Sequence, residues 1–356
     1  MNENAEVFIS LVRLGIGHPC DSLPEDIEWD SIESLSVRHG LSAIVVDGIE
    51  KLAEEKRPPK DLLLQWIGES LQGYESRFEQ YRKTIAELAG WYNAHGFKMM
   101  VLKGYACGLN WPKPEHRPCG DIDIWLYGEQ KAADAYLAKE KGIKVDTSHH
   151  HHTVFEWQGF MVENHYDFIN IHAHKKGKEL ESIFKELGQD DSHFYELNGE
   201  RVYLPSQNLH ALFLIRHLAN HFASMEINLR QVLDWAFFIE KHTNELDWPW
   251  LVGLLEKYNL KDFYYCINAI CFGDLGFNVN IFPQVQFIPG LKDRILGEII
   301  HPAISGVQPR GMFPRIVWKW KRWRANEWKH QLVYNESRWS AFWRGVWNHL
   351  LKPSSI

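Results

Sequence analysis

Cysteine is scarce in this sequence: Cys20, Cys107, Cys119, Cys266 and Cys271 are 5 of its 356 residues. An odd number with no Cys-x-x-Cys pair argues against a disulfide framework or a cysteine zinc knuckle, and points to a reducing compartment. Long hydrophobic runs are missing too. No stretch reaches the ~20 apolar residues that a membrane-spanning helix needs. The first residues, MNENAEVFISLVRLG, lack the basic start and the apolar run of a secretory leader, so the expected location is the cytoplasm. Nor is there a surplus of positive charge. With 39 Lys and Arg against 46 Asp and Glu, the net charge is −7, which excludes non-specific nucleic-acid binding by the chain as a whole. What remains is ordinary globular composition, 45% hydrophobic and 24% charged. The length exceeds what one core usually serves, so two or three lobes are expected.

Against that background one stretch stands out, Lys98 to Leu126. A short apolar run, Met99 to Leu102, reads as a strand and stops at Lys103-Gly104. A proline-containing loop follows and ends in Arg117-Pro118-Cys119-Gly120. Asp121-Ile122-Asp123-Ile124-Trp125-Leu126 then alternates carboxylate and apolar residues, the period of a strand. Its two carboxylates share a face, and Ile122 and Ile124 point the other way, into a core. Two like charges held so close call for a cation between them, and Mg²⁺ takes such hard oxygen ligands.

Further on, Thr153 to Trp157 and Phe160 to Glu163 flank Gln158-Gly159, a hairpin signature. On its second strand Met161, Glu163 and His165 share a face. Glu163 meets Asp121 and Asp123 if the two strands are neighbours. Glu156 is the rival third carboxylate.

At these residues the chain resembles the nucleotidyltransferase superfamily of the DNA-polymerase-β type. It is most similar to the bacterial group of uncharacterised nucleotidyltransferases, which carry Leu-Lys-Gly, then Arg, then Gly-Asp-Ile-Asp. Here these are Leu102-Lys103-Gly104, Arg117 and Gly120-Asp121-Ile122-Asp123, with Glu163-Asn164-His165 on the later strand. The resemblance implies a glycine turn that opens a helix and holds a triphosphate, and an Asp-x-Asp strand that holds two Mg²⁺ ions with Glu163 as third carboxylate. It implies an NTP as donor and a hydroxyl acceptor, which is a small molecule, an RNA or a protein. Lys103, Gly104, Arg117, Gly120 and His165 are then the residues around the nucleotide. The plainer alternatives are a solvated strand end for Lys103 and an ion pair of Arg117 with Glu115 or Asp121. The chain departs from the superfamily at Tyr105, where Ser or Gly is frequent after the glycine. A non-catalytic regulatory or binding protein on the same fold, such as a toxin–antitoxin component, is the alternative function.

The rest of the chain reads as helices around this core. Residues 1–96 form a helical region, with a break at Gly40 and one long helix from about Asp61 to His95 whose stripe includes Trp66, Tyr81, Ile85, Leu88 and Trp91. Residues 97–175 form the α/β core, with a short helix over Tyr105 to Trp111 whose N-terminus suits a phosphate. Residues 176–314 are helical, apart from a hairpin around Asn198-Gly199. The fold class is therefore α+β: a small mixed β-sheet core flanked by N-terminal and C-terminal helical regions.

Two features fit no single reading. His149 to His152 form an internal run, with His165, His172 and His174 downstream. Adjacent histidines on an extended segment alternate faces, so at most two serve one ion, and a polar loop is the simpler account. Residues 315–356 are basic and Trp-rich: Arg315 to Lys352 hold 7 of the 16 tryptophans and 9 Lys or Arg against Glu327 and Glu336. A membrane-surface helix, a single-strand nucleic-acid surface and a helical hairpin folded back on the acidic body all suit that composition, the last best.

Overall fold

The computed structural model describes residues 2–356 other than 21–22, 150, 172–173, 175, 284–285, 287, 289, 305–308, 338 and 340–356. Four helices come first: α1 (Glu3–Gly15), α2 (Trp29–His39), α3 (Ser42–Glu50) and α4 (Lys60–Ser70). Next are α5 (Arg77–Ala94), β1 (Met100–Val101), α6 (Tyr105–Gly108), β2 (Ile122–Trp125), α7 (Gln130–Lys141), β3 (His152–Trp157), β4 (Phe160–His165), α8 (Gly177–Leu187), β5 (Phe194–Leu197) and β6 (Glu200–Tyr203). Helices α9 (Gln207–Ser224), α10 (Leu229–His242), α11 (Trp248–Lys257), α12 (Lys261–Ala269), α13 (Leu291–Ile300), α14 (Met312–Ala325) and α15 (Glu327–Tyr334) complete the described chain. The fold is α+β, as the sequence implies, and two compact units compose it. Among the described residues, 2–70 with 214–337 form one, and 71–213 with Trp339 the other.

Among the described residues, the regular elements of the first unit are all helices. Gly40 ends α2 in the left-handed conformation, φ 64° and ψ 38°, which costs glycine little. Asn228 caps α10 through a capping box with Gln231. The N–H of Leu229, one of the orphan donors of that helix start, is accepted by Nδ1 of His39 at 3.1 Å.

The second unit is built on a six-stranded mixed sheet in the order β3-β4-β2-β1-β6-β5. β2 pairs parallel with β4, and β1 parallel with β6; the other pairings are antiparallel. Both hairpins form where the turn residues demand them. Gln158 and Gly159 take φ 49° and 80°, and Asn198 and Gly199 take 53° and 83°, the positive φ pair that matches strand twist. On one face of the sheet, Tyr81, Ile85, Leu88 and Tyr92 of α5 and Ala133 and Leu137 of α7 pack on Val101, Ile122, Ile124, Val162 and Val202. On the other face Trp125 meets Phe168, which stacks on Phe184 of α8.

Three local expectations need correction. The expected helix over 61–95 is helical from Lys60 to Ala94, but a π-helical turn, Leu71–Ser76, interrupts its α geometry between α4 and α5. The extra residue of a π turn shifts the apolar stripe, a shift that a single 3.6-residue periodicity does not account for. The helix expected over Tyr105 to Trp111 stops at Gly108, four residues ahead of Pro112, and a single turn has little dipole to offer a phosphate. The charged segment 175–195, expected to be an exposed helix, forms α8, along one side of which Leu180, Glu181 and Phe184 are buried. Residues Trp343 to Leu350 of the Trp-rich tail lie outside the described residues.

Candidate active site

β2 is buried at all four positions. Ile122 and Ile124 face the α5–α7 layer, so by the period of two Asp123 faces the other way, and it is 1% exposed. A buried carboxylate must find charge or hydrogen-bond partners, and two cations converge on this one. Lys103 Nζ lies 2.7 Å from Asp123 Oδ1, and His165 Nε2 lies 3.0 Å from the same atom. Burial alone would raise the Asp123 pKa; Lys103 and His165 reverse that and hold it well below the usual carboxylate range.

Glu163 is brought in by strand register. β2 and β4 pair with Asp123 opposite Glu163 and Trp125 opposite His165. Glu163 Oε2 is 3.6 Å from His165 Nε2, and its Oε1 is 3.9 Å from His152 Nε2. Burial disfavours the His165 charge, but its hydrogen bonds to Asp123 and Glu163 prevail and raise its pKa to about 9. Its Nδ1–H donates to the Asp167 carbonyl at 3.3 Å, so both ring nitrogens are donors, and Nε2 must give up its proton before it can ligate a metal. The carboxylates and His165 offer ligand atoms that lie within 4.8 Å of one another, a set of hard oxygens and one imidazole that suits a divalent cation.

The other expected residues differ in exposure and packing. Asp121 is exposed at the start of β2; partial desolvation and the like charge of Asp123 raise its pKa against the pull of Lys103. Gly104 has φ 55° and ψ −97°, a backbone that side chains rarely tolerate. A Cβ there would lie 2.4 Å from the Tyr81 hydroxyl. A Cβ on Gly120 would meet nothing within 4 Å. Arg117 is buried, its Cδ packs near Gly108, and Nη1 donates to the Pro118 carbonyl at 3.3 Å. Glu156 sits on β3 opposite Met161, and both are exposed; β3 lies beyond β4 from the aspartates.

The family profile described as uncharacterised nucleotidyltransferase matches residues 25–272. The chain belongs to that family. No curated protein matches it. Among solved structures, it is similar to an antigenic nucleotidyltransferase-like protein from Paracoccidioides brasiliensis, at 11% identity and a TM-score of 0.36, over 56% of this chain and 93% of that one. The family supports a nucleotidyl-transfer role in general terms.

For this nucleotidyltransferase family member, sequence reasoning passed over two sets of residues. Tyr81 was counted into the apolar stripe of its helix. It is fully buried, yet its hydroxyl donates to the Asp121 carbonyl at 2.8 Å, which ties α5 to the start of β2. Asp134 on α7 accepts from Thr153 Oγ1 at 2.7 Å and from Asn164 Nδ2 at 2.8 Å. Asn164 lies between Glu163 and His165, so its bond to α7 fixes which face of β4 the two site residues take. The signal for that pair was present: an asparagine alternating with two site residues points into the opposite layer, where a polar group needs a partner.

Proposed function

We propose that this protein transfers a nucleoside monophosphate from an NTP to a hydroxyl acceptor, by in-line attack on the α-phosphate with loss of pyrophosphate. The observation that carries the reading is the register pairing of Asp123 with Glu163, with Lys103 and His165 both converging on Asp123. Asp121, Asp123 and Glu163 are the residues that would hold two Mg²⁺ ions. Such ions supply neutralisation of triphosphate charge and a lower pKa for the acceptor hydroxyl. Lys103 offers the phosphate oxygens a point charge, and Arg117 a bidentate fork. His165 keeps Asp123 ionised and oriented. The space beside Gly120 lets backbone come close to a phosphate. The acceptor is a small molecule, an RNA end or a protein hydroxyl.

A second reading draws on the same cluster. Lys103 and His165 already neutralise Asp123, so the site is charge-balanced by its own side chains, as a non-catalytic binding protein such as a toxin–antitoxin component would need. Titration calorimetry of the four NTPs with Mg²⁺, on the wild type and on Asp121→Ala/Asp123→Ala, separates the two. Metal-dependent binding of an NTP that disappears in the double variant supports transfer. A folded wild type that binds none of the four gives the site to the second reading.

A further inference from the structure

Beside the carboxylates lies a second cluster, made only of histidines. The ligand nitrogens of His151, His152 and His165 lie within 4.8 Å of one another. Two backbone features assemble it. In the β3–β4 ladder His152 stands directly opposite His165. His151 precedes the strand in a bend, and its carbonyl accepts from the amides of Tyr166 at 3.0 Å and Asp167 at 3.1 Å. That clamp turns His151 out of the strand alternation that would have sent it to the far face. The ring centroids of His151 are consequently 4.4 Å from those of His152 and 5.6 Å from those of His165, and His152 and His165 are 5.3 Å apart.

The cluster has unmet valence. His152 is 7% exposed, and Nδ1 of both His151 and His152 is buried with no hydrogen-bond partner among the described residues. Buried polar atoms are nearly always satisfied, and an exception asks for an explanation such as a missing ion. Imidazole nitrogens suit zinc and its neighbours in the first transition row, whereas Mg²⁺ prefers oxygen. Three imidazoles leave the fourth position of a tetrahedron open, and Glu163 Oε1 lies 3.9 Å from His152 Nε2. The Asp167 carbonyl on Nδ1 of His165 is the kind of outer contact that orients a ligating ring.

We propose that His151, His152 and His165 form a binding site for a transition-metal dication of the zinc type, adjoining the carboxylate cluster and sharing His165 with it, the dication displacing to solvent the Nε2 proton that His165 otherwise directs at Asp123. The site does not depend on nucleotidyl transfer. His149 stacks on His152 at 4.7 Å but its side chain is 44% exposed, and it lies outside the ligand set.

Equilibrium dialysis of the chelator-stripped full chain against Zn²⁺ alone, read by elemental analysis, tests this. One zinc per chain is expected, with binding weakened at least about tenfold in His151→Asn and in His152→Asn. His149→Ala and Asp121→Asn should keep it. A Co²⁺-loaded wild type should show the intense visible absorption of a tetrahedral nitrogen-rich site, a readout that needs no variant. Failure to retain zinc, retention in both His151→Asn and His152→Asn, or equal loss in His149→Ala overturns the proposal, the last because it reports surface chelation by the histidine run. An Asp121→Asn protein that has lost Mg-dependent NTP binding but keeps zinc shows the two readings standing apart.

Discussion

Lys103 and Asp123 form an ion pair of 2.7 Å in which the carboxylate is 1% and the lysine side chain 18% exposed. Such a pair is weak evidence for stability, because desolvation offsets the attraction. Removing one partner is another matter, since it strands the other charge. Lys103→Met leaves Asp123 with His165 as its remaining cation, so the expected loss lies near the low end of that range, about 3 kcal/mol. Denaturant unfolding at pH 7 measures it, and a loss under about 1 kcal/mol would show that solvent reaches the pair freely.

The Tyr81 hydroxyl stands between the Gly104 turn and the Asp121 carbonyl, and this crowding predicts coupling. Tyr81→Phe strands the carbonyl and should cost about 1–3 kcal/mol. Gly104→Ala should cost more, from its φ of 55° and from a Cβ set 2.4 Å from the hydroxyl oxygen. In the Tyr81→Phe background the same Cβ meets the ring carbon at 3.5 Å. The double variant should therefore be more stable than the sum of the singles by roughly 1 kcal/mol or more. Additive losses would mean that the hydroxyl is not what closes the turn to side chains.

Glu181 predicts a pH slope. It is buried, it accepts from the amides of Phe168 and Ile169 at 3.0 Å each, and burial pushes its pKa up to about 7. Because the folded-state value lies above the ordinary 4.5, the folded chain holds this proton more tightly than the unfolded chain. Its contribution is full below pH 4.5 and is lost as pH rises through about 7. Glu181→Gln should flatten that slope and gain on the wild type at pH 8. Thermal unfolding of both proteins from pH 5 to 8 checks it, and parallel curves would remove Glu181 as the cause.

His39 predicts the opposite slope in the other unit. Burial lowers its pKa to about 3, and its Nδ1 must stay unprotonated to accept the Leu229 amide. The stability it contributes is present above pH 6.5 and drains away as pH falls toward 3. Between pH 6.5 and 4.5 the loss is roughly 2–3 kcal/mol. His39→Leu should be destabilised at pH 7, with an unpartnered helix-start amide, and should lose less of its remaining stability on acidification. A variant with the wild-type acid slope would assign that slope elsewhere.

The site was legible wherever chemistry and strand period coincided. Asp121, Asp123, Glu163 and His165 could be placed on faces by counting in twos, and the resemblance supplied the adjacency of β2 and β4 that counting cannot. Glycine turns marked both hairpins. What escaped depended on tertiary contact. Tyr81 looks like any aromatic on a helix stripe until the β2 carbonyl it caps is in place. His151 breaks the alternation of its neighbours because two amides from beyond β4 hold its carbonyl. The π-helical turn at Leu71–Ser76 keeps an apolar pattern on both sides, so no residue announces it.

The parallel pairing of β2 with β4 also sets a clock. Asp123 and Glu163 meet through a connection that includes α7 and β3, and 40 residues of chain separate them. At about 5–20 residues per second of synthesis, Asp123 leaves the ribosome roughly two to eight seconds before its partner. Until β4 docks, Asp121 and Asp123 have neither Glu163 nor His165 beside them. A nascent chain therefore carries only part of the cluster, and Glu163 and His165 complete it together when the crossover closes.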